Sequence, residues 1–544
     1  MLVRDSIAQA IADYGVEATF GVAGDANLFL IDALTRTHGI PYYSAAHEAG
    51  AVMMADGYGR VRGTVGIASV THGPGLTNTI TALTEAVRNR SRLVLLCGDT
   101  PASKPFHLQN IDQRELVKAT GARFEPIRSA ATAAADTLAA IRAAVREQVP
   151  VVVNMPLDLL DSPVPATVPP DATIPARPDP AADLSLSRSV PDADELDRAL
   201  GIIAAASRPV VLAGRGAVRA QARPALLRLA ELLGAPLATT LLAKEWFRGE
   251  AADVGICGTL STDTGGDVLS RSDCIIAFGA ALTPHTTANG DLVRDTAVVH
   301  CDVRPAAFDR FTPVRARLLG DARATAEAMI DSLAELATPT TRFRAQVSPP
   351  APLSASAAGP VGGLDPLGVT AAIEAMLPRE RTVVLDAGRY MGLPMRHISV
   401  PDPDAFVFTC NFGSIGLGTG NAVGAAVARR DRPTVVFVGD GGFMMGGIAE
   451  FNSAVRHGLD LVLVVYNDRA YGAEYIQMER RGLPTALTEF AWPDLAETAR
   501  AMGGDGVTCA SPEDLPAVAK AVEGRTRPLL IDLHLDPATV PPIH

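Results

Sequence analysis

The sequence contains few of the residues that mark disulfide-rich, cysteine-metal or membrane proteins. Six cysteines are scattered over 544 residues, and no two of them form a CxxC pair. This usage is typical of buried thiols in a reducing compartment, so we expect a cytoplasmic protein without disulfides or a cysteine-ligated metal. No apolar run approaches the roughly 20 residues that span a bilayer. The first residues lack the basic stretch and apolar segment of a signal peptide, and we expect none.

Basic residues are also fewer than acidic residues. The chain has 48 lysines and arginines against 60 aspartates and glutamates, which gives a net charge of −12. An acidic surface repels nucleic-acid phosphates and anionic lipids, so we expect neither nucleic acid nor a membrane among the partners. The apolar fraction of 48% and the charged fraction of 20% are those of a globular protein. This length is too great for one hydrophobic core and favours three domains.

Two proline-rich stretches, 163–192 and 348–366, predict linkers. They delimit three predicted domains, at residues 1–162, 193–347 and 367–544. In each domain, short and uniformly apolar runs alternate with helical segments, a pattern typical of a parallel sheet covered by helices on both faces. The sequence therefore predicts an α/β protein with three doubly wound parallel-sheet domains. Ligands of such sheets bind beyond the carboxyl ends of the strands.

Two oxygen-bearing side chains follow apolar runs in the third domain. The run 434–438 leads into Gly439-Asp440-Gly441-Gly442, and the run 461–465 leads to Asn467, with 25 residues between Gly441 and Asn467. Carboxylate and amide oxygens suit Mg²⁺, and the glycines beside Asp440 let backbone N–H groups approach a diphosphate. A tight acidic turn would explain the glycines alone, but it would not explain Asn467. The pattern predicts a site for Mg²⁺ and a diphosphate.

Glu48 is the candidate catalytic carboxylate of the first domain. It begins an apolar helical segment, where an ionised side chain is costly unless it has a partner. The alternative is an ordinary first-turn glutamate that the helix dipole favours. A second segment of this domain, 71–78, carries Gly-Pro-Gly and ends at Asn78.

Together, the segments 47–60, 71–78, 411–418 and 439–467 resemble the thiamine-diphosphate enzymes that include acetolactate synthases, benzoylformate decarboxylases, pyruvate decarboxylases and 2-hydroxyacyl-CoA lyases. The resemblance covers essentially the whole chain. It implies that Asp440, Asn467 and the backbone carbonyl of Arg469 hold Mg²⁺. Ile415 would support the folded cofactor, and Glu48 would share a proton with its aminopyrimidine ring. Further cofactor contacts are implied for Pro74, Asn78, Gly388, Arg389, Ser414, Gly439, Gly441, Gly442 and Tyr471.

The resemblance also implies how the domains are used. The first would be a pyrimidine-binding domain, the second a middle domain and the third a diphosphate-binding domain. In this family the cofactor lies between the first domain of one subunit and the third domain of another. We therefore expect a homodimer or homotetramer with composite active sites.

The residues that would face the substrate resemble different family members. The segment 21–28 is similar to the pyruvate decarboxylase segment with a catalytic aspartate, which points to Asp25, but no adjacent His-His pair accompanies it. The segment 106–112 is similar to that of acetolactate synthases, where a glutamine reaches the active centre, which points to Gln109. His72 could contact substrate or only pack, and Arg389 could bind an acidic substrate group or a phosphate.

We expect an acetolactate synthase-like decarboxylase and carboligase acting on a 2-oxo acid or related acyl donor. The alternatives are a non-oxidative 2-oxo acid decarboxylase and a 2-hydroxyacyl-CoA lyase. From other classes, an inactive cofactor-binding paralogue and a flavin- or nucleotide-dependent oxidoreductase remain open. The middle-domain segment 212–216 is an incomplete dinucleotide fingerprint. Acetolactate synthases carry FAD in this domain, but we do not expect FAD here.

Overall fold

The computed structural model contains three six-stranded parallel sheets, so the predicted fold class is confirmed. It describes residues 1–101, 103–104, 106–165, 189–335, 340–347, 355–359 and 363–541. Most of the predicted linker 163–192 and about half of the predicted linker 348–366 lie outside these residues, and the predicted domain boundaries stay predictions. The first and third sheets belong to one compact unit, and the second sheet belongs to another.

The first sheet is formed by β1 (Thr19–Gly21), β2 (Tyr42–Ser44), β3 (Gly66–Val70), β4 (Leu93–Asp99), β5 (Arg123–Pro126) and β6 (Val151–Pro156). Their order is β2-β1-β3-β4-β6-β5. Its helices are α1 (Val3–Asp13), α2 (Leu28–Asp32), α3 (Glu48–Arg62), α4 (Pro74–Thr77), α5 (Ile80–Asn89), α6 (Gln113–Thr120), α7 (Ala133–Glu147) and α8 (Leu157–Leu160). All five residues of β3 are buried, as expected for a strand covered on both faces.

The second sheet is formed by β7 (Pro209–Ala213), β8 (Leu237–Thr239), β9 (Asp253–Ile256), β10 (Cys274–Phe278), β11 (Ala297–Asp302) and β12 (Ala316–Leu319), in the order β12-β11-β10-β7-β8-β9. Its helices are α9 (Ala193–Ala205), α10 (Arg215–Arg219), α11 (Arg223–Leu233), α12 (Asp263–Ser270) and α13 (Ala322–Glu335). Residues 392–403 join the same compact unit. The buried amine of Lys244 donates hydrogen bonds to the carbonyls of Met395 and Ile398, which attaches that segment.

The third sheet is formed by β13 (Thr382–Leu385), β14 (Phe406–Phe408), β15 (Thr434–Gly439), β16 (Leu461–Asn467), β17 (Asp505–Cys509) and β18 (Leu529–His534), in the order β14-β13-β15-β16-β18-β17. The remaining helices are α14 (Pro366–Met376), α15 (Gly392–His397), α16 (Gly418–Ala428), α17 (Asp440–Gly442), α18 (Ile448–Arg456), α19 (Gly472–Arg480), α20 (Leu495–Ala501) and α21 (Leu515–Gly524). A π-helical turn, Phe443–Gly447, connects α17 to α18.

Helices α3 and α16 pack together because small residues let their backbones approach closely. A Cβ atom added to Gly57 would lie 2.1 Å from the carbonyl oxygen of Asn421, and one added to Gly424 would lie 1.8 Å from that of Met54. Larger side chains at either glycine would force the two helices apart. This contact joins the helix that begins at Glu48 to the helix that follows the Ile415 segment.

The searched helices offer no candidate for a membrane span: within the described residues, none is both long and apolar enough.

Candidate functional site

The carboxyl ends of β15 and β16 bring Asp440 and Asn467 to one edge of the third sheet. The two strands pair directly, with Gly439 opposite Tyr466. Asp440 begins α17 immediately after β15, and Asn467 is the last residue of β16. Both side chains are buried, with 2% and 3% exposure. The parallel register thus produces the pair of oxygen donors that the sequence predicts at adjacent strand ends.

The electrostatics of this edge fit a divalent cation. Burial raises the pKa of Asp440 to about 7, and the neighbouring carboxylate of Asp468 acts in the same direction. Burial also raises the pKa of Asp468 to about 6. Two buried carboxyl groups in proximity are costly to ionise, and a hard cation with oxygen ligands would offset that cost. The described residues hold no cluster of three or more His, Cys, Asp or Glu suited to a metal, so a cation here would also need amide and carbonyl oxygens.

Asp532 fixes which end of the Asn467 amide can face such a cation. Nδ2 of Asn467 donates a 2.8 Å hydrogen bond to Oδ1 of the fully buried Asp532. The other carboxylate oxygen of Asp532 lies 3.0 Å from Nε2 of His534. Oδ1 of Asn467 is therefore the amide atom left to face a cation, and it accepts the N–H of Arg469 at 3.3 Å. Asp532 was not predicted because it lies inside the strand β18 (Leu529–His534) and does not follow the end of a strand.

The segment that carries Ile415 lies against the turn after Asp440. Asp386, directly after β13, accepts hydrogen bonds from the N–H groups of Gly416 at 2.8 Å and Gly418 at 3.2 Å. A Cβ atom added to Gly442 would lie 2.8 Å from Oδ2 of Asp386 and 3.6 Å from Cβ of Ile415. Burial raises the pKa of Asp386 to about 6. Asp386 was not among the predicted site residues, although an aspartate directly after an apolar strand is a usable signal.

Three aromatic rings border Asp440. Nε1 of Trp492 donates a 2.7 Å hydrogen bond to Oδ2 of Asp440. The Trp492 ring stacks on Phe490, with centroids 4.7 Å apart, and Phe490 meets the edge of Tyr471 at 4.6 Å. A Cβ atom added to Gly441 would lie 2.6 Å from the Tyr471 ring, so a side chain at this position would displace the ring. Trp492 was also missed, because a contact across 52 residues leaves no local sequence pattern.

Arg389 is buried, and its side chain is hydrogen-bonded to backbone carbonyls. Its guanidinium donates to the carbonyls of Pro537, at 2.7 Å, and Val540. Burial lowers the pKa of Arg389, while the nearby Asp468 acts in the opposite direction. Arg389 therefore ties residues 537–540 to the region of Asp468. Its predicted contact with a phosphate or an acidic substrate group stays a prediction, as does the cofactor contact of its neighbour Gly388.

Glu48 is the first residue of α3, and Nδ1 of His47 caps this helix by accepting the N–H of Ala49 at 3.1 Å. Oε2 of Glu48 accepts a 2.9 Å hydrogen bond from Nδ2 of Asn78. Glu48 is half-buried, whereas Asn78 and Pro74 are exposed. The apolar surroundings expected for Glu48 are therefore incomplete in the single chain. The structure does bring Glu48 together with Asn78 of the Gly-Pro-Gly segment.

A cluster of polar side chains lies beyond β3 in the first sheet. The rings of His72 and His107 are 5.2 Å apart, and Oγ1 of Thr71 donates to Oδ1 of the exposed Asp25 at 3.1 Å. His72 is 1% exposed, and within the described residues its Nε2 has no hydrogen-bond partner. Burial lowers the pKa of His72. The backbone N–H of Gln109 donates to Nδ1 of His107 at 3.3 Å. The sequence has no adjacent His-His pair, but the fold makes a spatial one.

The glycines of the middle-domain fingerprint have a packing explanation. Gly214 and Gly216 follow β7, and a Cβ atom added to Gly214 would lie 2.3 Å from the carbonyl oxygen of Gly279. The N–H of Gly216 donates to the same carbonyl. Close approach to the turn after β10 therefore accounts for both glycines without a bound nucleotide.

Fold and site together define a class of α/β proteins with buried, oxygen-bearing side chains at the carboxyl edge of a parallel sheet, an arrangement that fits a divalent cation. Family comparisons agree with this definition. The N-terminal TPP binding domain of thiamine pyrophosphate enzymes matches residues 1–116, the central domain matches 196–329 and the C-terminal TPP binding domain matches 386–533. The chain belongs to the thiamine pyrophosphate enzyme family.

Comparisons with individual proteins agree with this family assignment. A Mycobacterium bovis protein described as a "Probable acetolactate synthase" is 30% identical over 552 aligned residues, covering 98% of this chain and 96% of that protein. A Pseudomonas aeruginosa protein described as a "Probable 2-ketoarginine decarboxylase" is 28% identical, covering 86% and 82%. The solved Rhodococcus jostii RHA1 thiamine diphosphate-dependent 4-hydroxybenzoylformate decarboxylase shares the fold, with a TM-score of 0.80, 22% identity and coverage of 98% and 99%.

These findings confirm the predicted class: a thiamine-diphosphate-dependent enzyme of the decarboxylase and carboligase type that acts on C–C bonds. They leave the substrate, the cation and the individual site residues as proposals.

Proposed function

We propose that this chain is an acetolactate synthase-like carboligase, which decarboxylates a 2-oxo acid and joins the remaining acyl unit to an acceptor carbonyl. The carrying observation is that Asp440 and Asn467 lie buried at neighbouring strand ends beside the Ile415 segment. Similarity to the Mycobacterium bovis protein over nearly the whole chain supports this choice. Thiamine diphosphate, when bound, supplies the electron sink for breaking and making the C–C bond.

The residues of the third domain divide into cation ligands and cofactor contacts. Asp440, Asn467 and the carbonyl of Arg469 would hold Mg²⁺, and the Ile415 side chain would support the cofactor rings. The diphosphate would meet the backbone N–H groups at the start of α17, where the helix dipole favours an anion. The other proposed cofactor contacts of the third domain are Gly388, Arg389, Ser414, Gly439, Gly441, Gly442 and Tyr471.

Replacement of Asp440 tests the cation assignment. Asp440→Ala removes the anionic ligand, and we expect calorimetry to detect no thiamine diphosphate binding at Mg²⁺ concentrations that saturate the wild type. Asp505→Ala is the matched control, because Asp505 begins β17 and so lies at the opposite, amino-terminal edge of the same sheet. Unchanged cofactor affinity in the Asp440 variant would refute the assignment.

The active site is proposed to be composite, in a homodimer or homotetramer. Glu48 is half-buried and Pro74 and Asn78 are exposed, which supports a second chain covering them. Light scattering with a simultaneous assay tests this proposal. We expect activity only in dimers or larger assemblies, and an active monomer would contradict it. The six unpaired cysteines support a cytoplasmic location for the enzyme.

A simple 2-oxo acid decarboxylase is the second candidate, and the pairing of His72 with His107 near Asp25 favours it. In such an enzyme the acyl unit that remains after decarboxylation takes up a proton instead of joining an acceptor carbonyl. Imidazoles close to a carboxylate are suited to carry that proton.

Product analysis separates the two candidates. Purified protein with Mg²⁺ and thiamine diphosphate is incubated with a panel of 2-oxo acids, with acyl-CoA donors as a further arm. CO₂ release with a C–C ligation product supports the carboligase, whereas CO₂ with free aldehyde alone supports the decarboxylase. His72→Asn should reduce aldehyde release by about 10²-fold or more if the imidazole carries the proton.

A further inference from the structure

Two buried glutamates lie outside the residues proposed to contact the cofactor. Glu85 is on α5 of the first domain, and Glu450 is on α18 of the third domain. Their exposures are 0% and 2%. Both belong to the compact unit that contains the first and third sheets. A carboxylate this deeply buried requires hydrogen-bond donors, so its partners indicate what it holds in place.

Glu450 holds the backbone directly before Glu48. Its Oε1 accepts the N–H groups of Ala46 at 3.2 Å and His47 at 3.1 Å, and its Oε2 accepts the hydroxyl of Ser453 at 2.7 Å. A Cβ atom added to Gly50 would lie 2.0 Å from Oε1 of Glu450. The carboxylate therefore occupies space that only glycine leaves in the first turn of α3. Through these contacts, the third domain fixes the start of the helix that carries Glu48.

Glu85 makes the reverse connection. Its Oε1 accepts the N–H of Asn411 at 3.0 Å and the side-chain Nδ2 of the same residue at 2.7 Å. Its Oε2 accepts the N–H of Phe412 at 2.5 Å. These two residues lead directly into the segment that carries Ile415. Through these contacts, the first domain fixes the start of a cofactor segment in the third domain.

We propose that Glu85 and Glu450 are reciprocal positioning residues, each holding in place a cofactor-contacting segment of the other domain in the same chain. Each acts through the segment it holds: Glu450 through Glu48, and Glu85 through Ile415. Hydrogen bonds to an ionised acceptor are stronger than neutral ones and suit this task. The inference rests on the proposed roles of Glu48 and Ile415, and its tests are chosen to fail separately from those roles.

Amide hydrogen exchange in the cofactor-free protein tests the two connections directly. Glutamine keeps the size of glutamate but offers one neutral acceptor oxygen and adds an N–H₂ donor. In Glu85→Gln an N–H of residues 411–412 loses its acceptor, because these N–H groups use both carboxylate oxygens. In Glu450→Gln the N–H groups of residues 46–47 keep only a neutral acceptor, which holds them more weakly than a carboxylate does. Glu450→Gln should speed exchange at residues 46–47 and leave 411–412 unchanged. Glu85→Gln should do the opposite. The control is Glu523→Gln, an exposed glutamate on α21 that should leave both segments unchanged.

A double-mutant cycle then tests whether Glu450 acts through Glu48. By sharing a proton with the aminopyrimidine ring, Glu48 would promote removal of the cofactor's thiazolium C2 proton. The rate of exchange of that proton is measured in the wild type, Glu48→Gln, Glu450→Gln and the double variant. A misplaced Glu48 should slow this exchange by about 10- to 100-fold, because small misplacements of reacting groups cost rates of that order. In the Glu48→Gln background, Glu450→Gln should slow it no further, since the group that it positions is already gone.

The dissociation constant of thiamine diphosphate provides the corresponding test for Glu85. Titration calorimetry with Mg²⁺ should show weaker binding for Glu85→Gln and near wild-type binding for Glu450→Gln. If a glutamine variant fails to fold in a thermal scan, Gly50→Ala replaces it for Glu450, because the added methyl group displaces the carboxylate. Glu85→Asp, which keeps the charge but shortens the side chain, replaces it for Glu85.

Two results would overturn the inference. One is that each variant speeds amide exchange in both segments or in neither of them. The other is a Glu450→Gln effect of equal size in both Glu48 backgrounds, which indicates general loosening of the structure. The proposed function fails in a different way, namely when Glu48→Gln itself leaves C2 proton exchange at the wild-type rate.

Discussion

The indole Nε1 of Trp492 donates a 2.7 Å hydrogen bond to the carboxylate of Asp440. The chain has one other tryptophan, Trp246, which lies in the middle domain. A tryptophan bonded to the proposed cation ligand responds to any change in that carboxylate. The fluorescence of Trp492 should therefore report the binding of a cation at Asp440.

We expect the tryptophan fluorescence of the wild type to change when Mg²⁺ and thiamine diphosphate are added together. Trp492→Phe should abolish the change, because it removes the indole that contacts Asp440. Trp246→Phe is the matched control and should retain it. A change that survives in Trp492→Phe and disappears in Trp246→Phe would place the binding site elsewhere.

Asp532→Ala should weaken Mg²⁺ binding although Asp532 is not itself a proposed ligand. The substitution removes the acceptor that holds Nδ2 of Asn467, so the amide is free to turn its N–H₂ group towards the cation. Loss of such a supporting contact typically lowers metal affinity about 10- to 100-fold. The measurement is a Mg²⁺ titration at saturating thiamine diphosphate. An affinity equal to that of the wild type would show that Asn467 needs no orienting partner.

The pair of His534 and Asp532 predicts a pH dependence of stability. The hydrogen bond to Asp532 raises the pKa of His534, so the folded chain retains a proton that the unfolded chain releases above about pH 6.5. His534 therefore stabilises the fold fully below that pH, and the contribution is lost as pH rises through the folded-state pKa.

Denaturant unfolding of the metal-free protein checks this dependence in the wild type and His534→Gln. The difference in unfolding free energy between the two should be larger at about pH 6 than at about pH 8. Other titrating groups are common to both proteins and cancel in the difference. A difference that stays constant or grows with pH would contradict the assigned direction of the pKa shift.

Much of the fold follows from local patterns. The apolar runs at 434–438 and 461–465 are uniformly buried strands, and their parallel pairing places Asp440 and Asn467 together. This part was predictable because the side chain that follows a strand of a parallel sheet has a fixed place at the carboxyl edge.

The parts of the site that were not predicted from the sequence depend on contacts between distant segments. His72 and His107 follow different strands, and nothing in either local sequence indicates that their rings meet. Trp492 reaches Asp440 from an irregular segment after α19. Glu85 resembles an ordinary helix residue until the packing of two domains buries it. In each case the partner is set by tertiary packing, which no short-range periodicity encodes.

Glu48 is proposed to activate the bound cofactor, and exchange of the thiazolium C2 proton measures that activation. Thiamine diphosphate bound to the wild type and to Glu48→Gln is exposed to deuterated solvent, quenched and read by NMR for the thiazolium C2 proton. Glutamine keeps the size of the side chain and its hydrogen bond to Asn78, so cofactor binding should persist while C2 exchange slows by about 10²- to 10⁴-fold. Exchange at the wild-type rate in Glu48→Gln would contradict the account and would leave Glu48 as a first-turn carboxylate of α3.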